Sequence, residues 1–130
     1  MGLRLLLDTH TLLWWAAGDT RLPRRVRAAI ADDANVILVS AASAWEVASK
    51  HRLGRLPAAG PLGTDFARET LRQGFLPLDI TLDHAQRAGG LAGPHADPFD
   101  RMLIAQAHAE NLALVSNETI FDEYGIVRVW

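Results

Sequence analysis

Four acidic residues carry the strongest chemical signal in this sequence, and we call them the acidic set: Asp8, Glu46, Asp100 and Glu118. Carboxylates that converge repel one another, so the pKa of each rises unless a cation neutralises the group. Oxygen ligands of this kind suit Mg²⁺ or Mn²⁺. A metal held in this way activates a water and stabilises charge on a phosphodiester. The residue types therefore predict metal-dependent hydrolysis, provided that the fold brings them together.

Two members of the acidic set also have simple structural explanations. Asp8 follows an apolar run and is a suitable cap for the next helix. Glu46 stands four residues before Lys50, which is the favourable order for a helical ion pair, and three residues after Ser43, which is typical of a capping box. These explanations stay open on the sequence alone.

Asp100 and Glu118, and the neighbouring Asp97, also have simple structural explanations. Asp97 before Pro98 is typical of a helix cap, and capping is its main expected role. Asp100, in the first turn, either complements the helix dipole or belongs to a site. Glu118 alone is weak evidence, because a single acid after a strand is common on protein surfaces.

The elements that must position these acids alternate between strands and helices. Short apolar runs predict strands at Leu3–Leu7, Val36–Val39, Phe75–Leu78, Leu112–Val115 and Ile126–Val129. Helical spacing and capping residues predict helices at Thr9–Ala17, Leu22–Ala31, Ala41–Leu53, Thr64–Gln73, Thr81–Ala88 and Asp97–Glu110. Thr9 is the expected cap of the first helix, and Pro57–Gly63 is expected to be a loop.

This alternation implies an α/β fold with a parallel sheet that helices cover on both sides. In such sheets the ligand site lies beyond the carboxyl ends of the strands. Asp8, Ser40 and Ser116 each follow a predicted strand, so all three should open onto one edge.

Length and composition predict one domain over residues 1–130, since 49% of the residues are hydrophobic and can form a core. The chain has no cysteine, which excludes disulfides, cysteine-bound zinc, iron–sulfur clusters and a thiol nucleophile. That absence fits a reducing compartment. The apolar N-terminal run is too short for a signal peptide or a membrane span. We therefore expect a cytoplasmic protein.

The net charge of −2 by itself argues against a nucleic-acid binder. Lys50 is the only lysine among the 13 basic residues, and arginine binds phosphate in a bidentate way. Codon usage in a GC-rich genome is the simpler explanation of this bias. Candidate contacts to an RNA backbone are Arg21, Arg24, Arg25, Arg27, Arg52 and Arg55.

Three blocks of this sequence resemble the PIN-domain ribonucleases, and among them the toxins of the virulence-associated protein C (VapC) type. The blocks are Leu5–His10, Ser40–Glu46 and His95–Ala107. The end of the chain is similar as well, through Leu114–Glu118 and Phe121. The resemblance covers essentially the whole chain. It implies a PIN-like three-layer α/β sandwich with a short, mainly parallel sheet of about four to five strands.

The resemblance also implies a Mg²⁺- or Mn²⁺-dependent endoribonuclease that cuts structured RNA, commonly transfer or ribosomal RNA. The family's acidic quartet carries over to the acidic set. Asp8 and Asp100 are then the main metal ligands, Glu46 ligates the metal or activates the attacking water, and Asp97 is an alternative ligand. Glu118 stands where the family more often has Asp, and its side chain is longer.

Several polar neighbours have expected roles in this hypothesis. The hydroxyls of Thr9 and Ser40 hydrogen-bond and orient the carboxylates, and Ser116 helps to complete the coordination. Arg101 either points to a carboxylate partner or contacts the scissile phosphate. His95 lies two residues before Asp97 and is the one histidine that we regard as a candidate for a catalytic role.

Trp14 and Trp15 are adjacent, so on a helix their side chains point about 100° apart. They either pack in the core or form a surface that binds a partner, where tryptophan is favoured. The resemblance implies a VapB-type antitoxin that inserts a segment near these residues, between the helices Thr9–Ala17 and Pro23–Ala31. It also implies a homodimer and no membrane contact.

Three other functions need residues that can be compared with this sequence. A phosphorylated receiver-like domain needs a lysine near the last strands, whereas Lys50 lies on an early helix. A non-catalytic PIN-like RNA-binding module would lack the acids, which are all present. A PIN nuclease for RNA maturation differs from a toxin in ways that this sequence does not reveal, although the small single domain favours the toxin.

Overall fold

The computed structural model of the protein describes residues 2–56 and 59–130. The strands are β1 (Arg4–Leu7), β2 (Val36–Ser40), β3 (Leu76–Leu78), β4 (Ala113–Val115) and β5 (Arg128–Val129). The helices are α1 (Thr9–Ala17), α2 (Arg24–Ala31), α3 (Ala41–Arg52), α4 (Pro61–Thr64), α5 (Phe66–Arg72), α6 (Leu82–Gly90) and α7 (Pro98–Glu110). A 3₁₀ helix at Thr119–Tyr124 precedes β5.

All five strands are parallel and lie in the order β3-β2-β1-β4-β5. Leu7 pairs in register with Val39 on one side and with Val115 on the other. The residues that follow are Asp8, Ser40 and Ser116, which therefore leave the sheet side by side at its carboxyl edge. The predicted parallel α/β sheet is confirmed, and so is the common edge.

Successive residues of the central strand point to opposite faces of the sheet, and each face carries its own core. Leu5 and Leu7 pack in one cluster with residues of α1, α2 and α3. Leu6 packs in the other cluster with Leu103 and Ile104 of α7. This arrangement confirms the three-layer sandwich.

The element bounds differ from the predictions mainly at the ends. Leu3 is outside β1 and exposed, because only the residues from Arg4 onward pair with β2. Asp8, and not Thr9, caps α1. The predicted helix Thr64–Gln73 is wrong in its first residues, because a backbone break at Asp65 separates α4 from α5.

Two further differences lie in the connections. The predicted loop at 57–63 contains the start of α4, and Pro57 and Ala58 lie outside the described residues. The 3₁₀ helix after β4 was not predicted. The longest helix, α7, has 13 residues, and within the described ranges no helix is long and apolar enough to cross a membrane.

Candidate active site

Asp8 is buried at the junction of β1 and α1. Its Oδ1 accepts a hydrogen bond from the backbone N–H of Thr11 at 2.8 Å, which is a helix cap. Its own N–H donates to the carbonyl of Val115 at 3.1 Å, and the Thr11 hydroxyl donates to the same carbonyl at 2.9 Å. The start of α1 is thus tied to the end of β4. The role of Thr11 in this contact was not predicted. The available signal in the sequence was a threonine three residues after a capping aspartate.

Asp100 lies in an acidic environment at the start of α7. Asp97 caps this helix, because its Oδ1 accepts the N–H groups of Phe99 and Asp100 at 2.9 and 3.0 Å. Burial raises the pKa of Asp100 to about 6. A 2.7 Å hydrogen bond from His95 Nε2 to its Oδ2 opposes this rise, whereas the charges of Asp97 and Glu118 add to it. Asp97, Asp100 and Glu118 therefore interact electrostatically.

Glu46 lies on the buried face of α3, with 5% of the residue exposed, and it has a protein cation as its partner. Its Oε2 accepts a hydrogen bond from Lys50 Nζ at 2.5 Å. The helical ion pair that the sequence allowed is therefore present. The capping box is wrong, because Ser40 caps α3 and Ser43 lies within the helix.

The hydroxyls of Thr9 and Ser40 do not contact carboxylates, so this prediction is wrong. Thr9 donates to the Ser43 hydroxyl at 3.0 Å, and Ser40 donates to Gln106 Oε1 at 2.6 Å. A hydroxyl has one hydrogen to donate, and both are used inside the protein. Ser116 accepts the N–H of Glu118 at 3.0 Å and so shapes the turn that carries this acid.

Arg101 contacts no carboxylate among the described residues, so the predicted carboxylate partner is wrong, whereas its contact with the scissile phosphate stays a prediction. Its guanidinium donates to three backbone carbonyls, those of Ala88, Leu91 and His95. The Tyr124 hydroxyl accepts the His95 N–H at 3.1 Å. These contacts secure the loop between α6 and α7, and this loop holds the His95 ring on Asp100.

The acidic set lies toward the carboxyl edge of the sheet, which we call the rim, and only Asp97, Asp100 and Glu118 act on one another electrostatically. Within residues 2–56 and 59–130, no group of three or more aspartate, glutamate or histidine side chains is arranged to hold a metal ion. The chemistry of the donors nevertheless fits a hard divalent cation, because they are oxygens and because the surroundings of Asp100 disfavour its negative charge. Glu46 differs from the others, since Lys50 already neutralises it.

A buried polar network beneath the rim was missed on the sequence. Gln106 accepts the hydrogen bond of the Ser40 hydroxyl through Oε1, and its Nε2 lies 3.4 Å from His84 Nδ1. The Thr81 N–H donates to the same ring nitrogen at 3.1 Å, and His84 Nε2 lies 2.9 Å from Glu110 Oε1. The available signal was Gln106 itself, a polar residue in an apolar helical run.

The two adjacent tryptophans point apart and are both half-buried. Trp14 lies 5.9 Å from Trp130 between ring centroids, and the Arg21 guanidinium lies 4.9 Å from the Trp14 ring. Trp15 donates through Nε1 to Gln73 Oε1 at 3.1 Å. Both rings therefore pack partly against the protein's own core.

Of the six arginines predicted to contact RNA, three donate to acceptors within the protein. Arg21 binds Asp19, Arg27 donates to the carbonyl of Asp19, and Arg25 donates to the carbonyl of Trp130. The arginines with exposed side chains and no hydrogen-bond partner among the described residues are Arg24, Arg52 and Arg55.

The fold and the site together define a small α/β protein with acids at the carboxyl edge of its parallel sheet. The chain belongs to the PIN domain family, whose model matches residues 5–127.

Comparisons with individual proteins agree with this family. The chain is 45% identical over 62 residues to "Ribonuclease VapC16" of Mycobacterium tuberculosis (strain ATCC 25618 / H37Rv), and the match covers 48% of this chain and 43% of that relative, less than half of its length.

Two solved structures are similar over nearly the whole chain. They are VapBC2 from Rickettsia felis bound to a DNA fragment from their promoter (TM-score 0.72, 16% identity, 98% of both chains) and DNA-bound VapBC from Salmonella typhimurium (TM-score 0.67, 18% identity, 98% of this chain and 97% of that chain). At these identities the likeness confirms the fold. The resemblance to VapC-type PIN proteins is thus confirmed in sequence and in fold.

Proposed function

We propose that this protein is a Mg²⁺- or Mn²⁺-dependent endoribonuclease toxin that cuts structured RNA, either transfer or ribosomal RNA, in the cytoplasm. Membership of the PIN domain family supports this proposal, as does the name of the partial relative, a VapC ribonuclease. The acids at the carboxyl edge of the sheet are the chemical groups that the activity needs.

The observation that carries the proposal is the environment of Asp100. Its pKa is raised to about 6 by burial and by the charges of Asp97 and Glu118. A cation would relieve this cost and restore the ionised carboxylate. Acids that act on one another at the edge where parallel sheets place their ligands are best explained by a cation that binds there.

The contacts of each acid suggest its role in the proposed reaction. Asp8 and Asp100 would hold the metal, which supplies an activated water and stabilises charge on the phosphodiester when it is bound. Asp97 fixes the start of α7 and is an alternative ligand, and the Ser116 turn directs Glu118 toward the rim. Glu46, whose Oε2 accepts a hydrogen bond from Lys50, would position the attacking water or accept its proton.

A VapB-type antitoxin is the proposed protein partner, because the solved relatives of similar fold are VapBC complexes. We place its segment beside Trp14 and Trp15, whose half-exposed rings mark the surface between α1 and its neighbours. We further propose a homodimer in solution. Co-expression with the antitoxin encoded beside this gene should give a complex, and analytical ultracentrifugation should give twice the mass of the chain.

The proposed activity is tested with the purified chain and total transfer and ribosomal RNA. Cleavage is expected with Mg²⁺ or Mn²⁺, and it should stop when EDTA removes the metal. Cleavage that persists in EDTA would contradict the metal dependence. RNA binding without cleavage under any of these conditions would identify a non-catalytic PIN-like module instead.

A further inference from the structure

Lys50 lies beside a predicted site acid, and neither the fold nor the acidic set explains why a lysine is there. It is the only lysine of the chain. Its ammonium lies 2.5 Å from Glu46 Oε2. Among the described residues, every other lysine or arginine ion pair joins acids outside the predicted site, and the two remaining partners of the acidic set are histidines. Lys50 is therefore the one permanently charged donor that reaches the site acids.

The helix geometry explains how this side chain reaches the site. Ser43, Glu46 and Lys50 follow one another along one face of α3. The Ser43 hydroxyl accepts the hydrogen bond of Thr9, next to Asp8, so this face lies against the start of α1. Long side chains on a helix point back toward its N-terminus, which directs the Lys50 ammonium over Glu46 and toward the carboxyl edge of the sheet.

The remaining donors of the ammonium are accessible. The side chain of Lys50 is 35% exposed, whereas that of Glu46 is 7% exposed. An ammonium has three hydrogens, and within residues 2–56 and 59–130 it donates one hydrogen bond, to Glu46. Its other hydrogens therefore face solvent at the rim. The last turn of α3 also carries Arg52, which is exposed.

We propose that Lys50 is a substrate-binding residue whose ammonium, anchored on Glu46, donates to a phosphate oxygen of the RNA backbone beside the acidic set. This proposal rests on the proposed function, since it names how that site receives its polyanionic substrate. A cation at this place also lowers the repulsion between the site acids and phosphate. Arg52 and Arg55 would continue the contact along the exposed end of α3.

The proposal is tested by RNA binding without turnover, with bulk transfer RNA as the probe and EDTA in the buffer. Lys50→Met should weaken binding about tenfold, which corresponds to one charge-assisted hydrogen bond. The slope of log affinity against log salt should fall by about 0.7 to 0.9, the contribution of one phosphate contact. Lys50→Arg should keep most of the affinity and the slope, because it retains the charge.

The matched control is Arg87→Met, which removes one positive charge from an exposed ion pair with Asp83 on α6. It should bind transfer RNA as the wild type does. If Lys50→Met and Arg87→Met have equal effects on affinity and slope, the inference is overturned. Thermal unfolding shows whether Lys50→Met is folded. If Lys50→Met does not fold, the double variant Lys50→Met/Glu46→Gln, which leaves no unpaired buried charge, is used in its place.

The double variant also separates direct contact from an effect through Glu46. If Lys50 contacts phosphate, Lys50→Met/Glu46→Gln should still bind more weakly than Glu46→Gln alone and with the lower salt slope. If the double variant binds as Glu46→Gln does, Lys50 is only a counterion and the inference is overturned. Failure of the proposed function gives a different result, because the wild type would then not cleave RNA in Mg²⁺ or Mn²⁺, whatever Lys50→Met does to binding in EDTA.

Discussion

The half-buried Asp100 and the buried Glu46 are two acids that the protein stabilises in different ways. Glu46 has a lysine on its own helix, one turn away, so its charge is balanced inside the protein. Asp100 has only the hydrogen bond from His95, and two further acids act on it. The unbalanced charge of the site is therefore concentrated at Asp100, where we place the metal.

This difference predicts how stability depends on pH in the metal-free protein. The pKa of Asp100 rises from its ordinary value of 3.8 to about 6 on folding. Its contribution to stability is therefore complete below pH 3.8 and is lost as the pH rises through about 6. The expected loss is on the order of 3 kcal/mol. In EDTA, the free energy of unfolding of wild type relative to Asp100→Asn should fall by this amount between about pH 4 and pH 7. A constant difference would contradict the assignment.

The elements show which contacts the sequence could predict. Local signals were sufficient for the caps at Asp97 and Thr81 and for the glycine end of α1 at Gly18, because each involves residues within one turn. The partner of Ser40 could not be predicted, because Gln106 is 66 residues away and is brought to it only when α7 packs on the sheet. Asp8 and Glu118 could be identified from their place after predicted strands, because that signal is local. The hydrogen bond from the Ser40 hydroxyl to the buried Gln106 amide could not, because it depends on how α7 packs.

The Ser40 and Gln106 contact predicts an effect on stability. Gln106→Leu removes the acceptor of a fully buried hydroxyl, and an unpaired buried polar group costs about 1 to 3 kcal/mol. Urea denaturation should show a loss of this size. Gln86→Leu, on the exposed face of α6, is the control and should change the free energy of unfolding by less than about 0.5 kcal/mol. Equal effects of the two substitutions would refute the role of the network.

At the scale of the whole molecule, the net charge of −2 is an average over two different regions. Acids gather at the carboxyl edge of the sheet, while exposed arginines such as Arg24, Arg52 and Arg55 lie on the helices. A bound cation would reverse the local sign at the rim, so the negative total is compatible with an RNA substrate. The parallel sheet was predictable from the alternation of elements. The common edge of Asp8, Ser40 and Ser116 depends on the register of β1 with both of its neighbours.

Metal binding at the rim should stabilise the whole domain. A ligand at one hundred times its dissociation constant adds about 2.7 kcal/mol, which raises the Tm of a domain of this size by roughly 10 °C. Differential scanning fluorimetry with Mn²⁺ should show this rise for wild type and not for Asp100→Asn. Asp83→Asn, an exposed acid of α6, should keep it. An equal rise in all three proteins would indicate a metal site elsewhere.

Asp8 lies at the end of the central strand, and we assign it to a metal-dependent ribonuclease site. Asp8→Asn keeps a side-chain oxygen to cap α1 but removes the charge, so the fold should persist. The decisive measurement is Mg²⁺-dependent cleavage of total transfer and ribosomal RNA by wild type and by Asp8→Asn, with folding checked by circular dichroism. We predict that the wild type cleaves and that the folded variant loses at least about 100-fold in rate, or 2.7 kcal/mol of transition-state stabilisation. Undiminished cleavage by Asp8→Asn would contradict the assignment of the site.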